Sequence, residues 1–288
     1  MPNFAPKICQ PAVRGAVLAA PAVIYLLAFL AVPLALVAAT SVLSRGPYGE
    51  VIFKLTADNY TRLFDPLYLN ILLDSLTIAG ATTAVTLLIG YPLAWWMARA
   101  PRRVRSAALF ALLVPFWTNF LIRIYAWILI LRSGGLLEGL LAGLGLWRGA
   151  IEILYTPWAV LIGMVYEFLP FMVLPLFASL EKIDEAQLAA AADLGARPFQ
   201  VFWRVVLPLG LPGLVAGSTL VFVPAMGMFA LPDLMGGART LLVGNLIRNQ
   251  FLVARDWPFG AAAAMVLVTL TLALLVLYTR FAGKETLV

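Results

Sequence analysis

An all-α polytopic membrane protein with six transmembrane helices is the fold class that the 288-residue sequence predicts. Hydrophobic residues make up 63% of the chain and charged residues only 12%, about half the charged share of a soluble domain. Mean hydropathy is +0.97. Six apolar runs reach the roughly 20 residues that a membrane-crossing helix needs: 15–43, 71–98, 106–131, 156–180, 207–230 and 258–282.

The first run follows Lys7 and Arg14, is longer than a signal-peptide core and lacks a cleavage site, so it reads as a retained span. Prolines recur inside the runs (Pro33, Pro92, Pro115, Pro170, Pro175), where a membrane helix tolerates them as kinks. Between the third and fourth runs, Gly134–Trp147 reads as an amphipathic helix at the outer interface. Between the fifth and sixth, Arg239–Phe251 reads as a second short helix, and Asp256 stands where it would cap the sixth run. The organisation is an N-terminal segment 1–14, a six-span domain 15–282 that includes a polar loop 181–206, and a tail 283–288.

That loop is the polar interruption of an apolar chain. Asp184 suits an N-cap and Glu185 the first turn, where the helix dipole favours a carboxylate. Leu188, the run Ala189–Ala192 and Leu194 build a short helix with little bulk, and Gly195 stands where a left-handed C-cap residue belongs. Pro198 then opens a second helix whose face carries Phe199, Phe202, Trp203 and Val206. Two short helices at a glycine corner predict a compact hairpin.

Charge assigns the sides. With both ends inside, the cytoplasmic side, with Arg280 at the inner end of the sixth run, holds eleven basic and five acidic residues, while the outer side, with Asp74 at the outer end of the second run, holds eight of each sign. The whole net charge of +6 is then cytoplasmic, concentrated at Arg99–Arg105, and reads as a topology signal and not as a nucleic-acid surface. The hairpin falls on the cytoplasmic side. A single cysteine, Cys9, excludes an internal disulfide, and the absence of histidine argues against a histidine metal site, triad or proton shuttle. No P-loop, nucleophile elbow or zinc-protease motif occurs, so the chain is not expected to hydrolyse ATP or to act as an enzyme.

The loop resembles the EAA loop of the membrane subunits of bacterial ABC importers, whose pattern is Glu-Ala-Ala-x3-Gly-x9-Ile-x-Leu-Pro. Ala190, Ala191, Gly195, Leu207 and Pro208 match at the same spacing, and Val205 replaces the isoleucine. Ala189 stands where the family has glutamate, with Glu185 one turn earlier as the candidate substitute. The stretches Pro115–Trp127, Leu169–Asp184 and Asp233–Ala262 resemble the spermidine/putrescine branch, the PotB/PotH type, and the resemblance runs from about Val17 to Tyr278. It implies a type I importer permease fold, a second homologous permease, ATPase subunits beneath and an external substrate-binding protein. It further implies that ATP and Mg are bound by the ATPase, with no cofactor in this chain. The residues it assigns to ATPase coupling are Glu185, Ala189, Ala190, Ala191, Gly195, Leu207 and Pro208. Other readings keep the machine and change the cargo to an opine, an aminophosphonate or ferric ion, or replace the machine by a self-sufficient secondary transporter.

A path for polycations should offer carboxylates and aromatic faces. Glu167 lies in the middle of the fourth run, and two readings stand: it pairs with Arg123 of the third run, or it lines the path. Asp233, after the fifth run, is a candidate at the outer mouth. Trp117, Asn119, Tyr125 and Trp127 are candidates on the third run, against the alternative of an interfacial aromatic belt.

Overall fold

The computed structural model describes residues 11–146, 149, 151–237 and 240–282. Lys7, Cys9, Trp147, Arg239, most of the N-terminal segment 1–14 and the tail 283–288 lie outside the described residues. Helix α1 spans Pro11–Ser41, followed by strands β1 (Leu43–Arg45) and β2 (Val51–Leu55) and the short helix α2 (Asp58–Arg62). Helices α3 (Pro66–Arg99), α4 (Arg102–Leu113), α5 (Phe120–Leu131), α6 (Leu136–Gly143) and α7 (Pro157–Leu180) come next. The chain continues through α8 (Glu185–Asp193), α9 (Pro198–Val201), α10 (Leu207–Gly227), α11 (Val243–Leu252) and α12 (Trp257–Ala282). Among the described residues, six helical stretches have the length and apolarity to cross a membrane, as expected.

Helix α7 is the centre of the bundle. Half of its most apolar window is buried inside the chain, against none of the corresponding window of α1, whose outer face is left to other surroundings. Lipid tails are as apolar as leucine, so helices in a bilayer associate through close backbone approach and not through water exclusion. The sequence of α3 provides for this with a stripe at spacings of three and four, buried at Ser75, Ala79, Thr82, Thr86, Gly90 and Ala94. Helix α10 presents buried Gly210, Gly213 and Gly217 to α7. Two hydroxyls in the stripe donate within the helix, Ser75 Oγ to Ile71 O at 2.7 Å and Thr86 Oγ1 to Thr82 O at 2.7 Å, while Thr82 Oγ1 reaches Met164 Sδ of α7 at 3.8 Å.

Four expectations about the elements are corrected. The third run, 106–131, is not one helix: Pro115 opens a tight 3₁₀ turn at Val114–Trp117, and Asn119 restarts the chain as the N-cap of α5 by accepting from Leu121 N at 2.8 Å. Phe120–Gly143 is the stretch here with the length and apolarity to cross, interrupted at Arg132–Gly135. The second arm of the hairpin is not a separate short helix either. It continues into the fifth span through a wide turn at Phe202–Val206, so Pro198–Gly227 is one helical stretch. Pro208 offers no amide hydrogen to Arg204 O, and Leu207 N reaches back to Phe202 O instead. The second span begins five residues earlier than expected, at Pro66, because Asp65 caps it by accepting from Leu67 N at 2.9 Å. A small antiparallel β-hairpin, Leu43–Arg45 with Val51–Leu55, adds to the α architecture outside the spans.

Connectivity places that β-hairpin, α2 and α11 at one end of the bundle and the 181–206 loop at the other. Asp256 ties the first end together. It is 2% exposed, caps α12 by accepting from Phe259 N at 3.2 Å, and pairs with Arg62 at 3.0 Å. Replacing Asp256 by alanine removes a cap and a charge-assisted bond; because Arg62 is partly solvated, the expected loss is about 2 kcal/mol. A thermal transition measured in detergent checks it, and an unchanged transition would mean that the pair contributes nothing.

Candidate functional site

The hairpin at the loop end is built as its residues dictate. Asp184 Oδ1 accepts from Ala186 N at 3.0 Å and starts α8. Gly195 stops it at φ +80°, with Gly195 N bonding Ala192 O at 2.8 Å and Ala196 N bonding Ala191 O at 3.1 Å, the paired closure of a left-handed helix end. Gln200 Oε1 then accepts from Arg197 N at 2.9 Å ahead of Pro198. The inner face, Leu188, Val201 and Phe202, packs against the bundle core, and Phe202 meets the Tyr91 ring edge-on at 5.5 Å.

The outer face is unlike a solvated loop. Leu194 is 89% exposed, Phe199 72% and Trp203 52%, and the last two rings touch across one turn at 6.0 Å. Ala189 and Ala190 lie exposed beside them, while Ala191 is half-buried. Glu185 is exposed and interacts electrostatically with Arg99 at the end of α3. Arg105 of α4 pairs with Glu181 at the end of α7, so three elements meet at the root of the hairpin. Leu207 and Pro208 sit where the second arm becomes the fifth span, Leu207 half-buried and Pro208 exposed.

Within the bundle, Arg123 of α5 and Glu167 of α7 are brought together, Nη2 to Oε1 at 2.9 Å. The Arg123 guanidinium carbon also lies 4.7 Å from the centre of the Phe116 ring, which the turn after Pro115 carries to it. Trp127 and Tyr166 meet edge-on at 5.5 Å one turn away. Asn119 is engaged as the cap of α5, and Trp117 and Tyr125 are 78% and 55% exposed, outside this cluster.

At the opposite end Asp233 lies in the turn Pro232–Gly236 and takes bonds from Asn245 and Arg248 of α11. Asn245 is 1% exposed and also donates to Phe229 O at 2.8 Å, so it fastens α11 to the end of α10. Sequence reasoning named Asp233 and missed both partners. Their spacing of three along α11 was the available signal, since it puts both on one helix face. Phe116 was missed as well, because only the break at Pro115 turns it toward Arg123.

Residues 90–284 match the family model described as binding-protein-dependent transport system inner membrane component. The chain is 49% identical over 256 residues to the spermidine/putrescine transport system permease protein PotB of Escherichia coli (strain K12), covering 89% of this chain and 93% of that one. To the protein of the same name from Haemophilus influenzae it is 47% identical, covering 89% and 90%. Its fold is similar to a chain in the crystal structure of a bacterial alginate ABC transporter in complex with alginate pentasaccharide-bound periplasmic protein. The TM-score there is 0.75 at 18% identity, covering 98% of this chain and 99% of that one.

Proposed function

The chain belongs to the family of binding-protein-dependent transport system inner membrane components, and from that premise we propose that it passes spermidine- or putrescine-like polyamines through an ATP-driven importer. It is a multi-pass permease of the inner membrane. The observation that carries the coupling role is the outer face of the hairpin. Three large apolar side chains, Leu194, Phe199 and Trp203, stand exposed on an otherwise polar loop beyond the spans. Such a patch outside lipid marks a docking surface, and the alanines beside it let a partner's backbone come close.

In this reading both termini and the hairpin are cytoplasmic, and an ATPase that holds ATP and Mg seats the hairpin in a groove. A second permease completes the path, and an external binding protein delivers cargo to the end carrying Asp233. The chain contributes no catalytic group. Closure of the ATPases pushes on α8, and the unbroken stretch Pro198–Gly227 carries the push into the fifth span.

Reconstitution with the ATPase, second permease and binding protein tests this. Labelled putrescine and spermidine should enter vesicles only with ATP, each competing with the other. Entry without the ATPase, or of neither amine, sinks the proposal. Asp233→Asn should lower uptake severalfold, because it leaves the Arg248 cation uncompensated where a polycation must pass. Unchanged uptake removes Asp233 from the path.

A further inference from the structure

The Arg123–Glu167 pair is held in an unusual way for a buried structural ion pair. An arginine that anchors a carboxylate typically does so with two parallel bonds. Here a single nitrogen, Nη2, reaches Oε1 at 2.9 Å, and Oε2 takes no hydrogen bond among the described residues. Arg123 is 9% exposed, yet its Nε and Nη1 are buried with no hydrogen-bond partner. Unmet buried donors carry a desolvation cost, so this position does not use the arginine's full donor set. The Phe116 face, 4.7 Å from the guanidinium, gives the cation a second attractive surface. Glu167 is 13% exposed at its side chain and so is within reach from outside the bundle.

Resting on the polyamine reading above, we infer that Glu167 is an ammonium subsite of the path and that Arg123 is its tethered occupant, yielding the carboxylate to a primary amine of the cargo. A lone carboxylate in the membrane is costly, and the exchange keeps it paired at every stage. A primary ammonium is compact, with three donors, and fits where one guanidinium nitrogen stood. The displaced arginine backs onto Phe116. Because the arginine returns once the amine leaves, cargo is not trapped at the site.

The test uses the complete importer in proteoliposomes with labelled putrescine. Glu167→Gln should lower uptake about tenfold, the loss of one charge-assisted bond, while ATP hydrolysis stimulated by the binding protein persists. The double variant Arg123→Gln, Glu167→Gln leaves no lone charge in the membrane and should stay equally low. Uptake at the wild-type rate in that double variant overturns the inference, since a merely structural pair is dispensable once both charges are gone. Arg123→Gln alone should retain severalfold more putrescine than wild type in the vanadate-trapped complex, and retention at or below wild type also overturns it. If that variant fails to insert, the double variant decides. A wild-type importer that takes up no polyamine overturns the cargo reading and this inference with it. A working wild type with a fully active double variant overturns the inference alone.

Discussion

Gly213→Ala is expected to lower the thermal transition of the solubilised permease by several degrees. A Cβ built at Gly213 would lie 2.6 Å from Pro175 O, 2.6 Å from Ser179 Cβ and 3.1 Å from Leu176 Cα. Two of these are backbone atoms of α7, the central helix, and cannot swing away as a side chain would. Overpacking of this kind costs about 3 kcal/mol, at the upper end of the usual range. Ser179→Gly should relieve only part of it, because the carbonyl of Pro175 stays in place. Gly80 is the control: a Cβ there would meet nothing within 4 Å, so Gly80→Ala should be neutral or slightly stabilising. Equal transitions for the two variants would mean that α7 and α10 are not packed as described.

Gly195→Val should separate ATP hydrolysis from uptake. Nothing lies within 4 Å of a Cβ at Gly195, so crowding is not the cause. The cause is the backbone at φ +80°, which costs an L-residue about 1–2 kcal/mol and a β-branched one more. The corner would open and re-aim α8 relative to the arm that leads into the fifth span. Uptake should fall about tenfold, the equivalent of roughly 1.4 kcal/mol, while hydrolysis continues. Gly195→Asn, which tolerates the left-handed conformation, should retain most uptake. Loss in both variants, or normal uptake in the valine variant, would count against a role for the corner geometry.

Much of the fold was legible because a bilayer permits so few solutions. A run of about 20 apolar residues becomes a helix when no water is present to satisfy its backbone. Local chemistry was equally legible. Asp184, Gly195 and Asp256 each act within a few residues of themselves, and each does what its type and position predict. Misread boundaries fell where two local signals competed. Apolarity across 106–131 argued for one helix, and Pro115 with Asn119 won by breaking and recapping it. At 202–206 the polar loop argued for a short helix separate from the run at 207–230, yet the wide turn absorbed the amide missing at Pro208 and kept the helix whole.

The sequence by itself determined the number of apolar spans, the caps at Asp184 and Asp256, the glycine corner and the distribution of charge, since each depends on composition or on neighbours along the chain. The tertiary structure decided which faces meet. An apolar helix in an apolar chain shows no amphipathic contrast to reveal its inner side, so only packing identified α7 as the core helix and α1 as the outlying one. Contact across 44 positions, from Arg123 to Glu167, likewise depends on where the break at Pro115 aims α5. Meeting of that kind is a property of helix rotation and approach, which the bilayer leaves free and close packing of small residues sets.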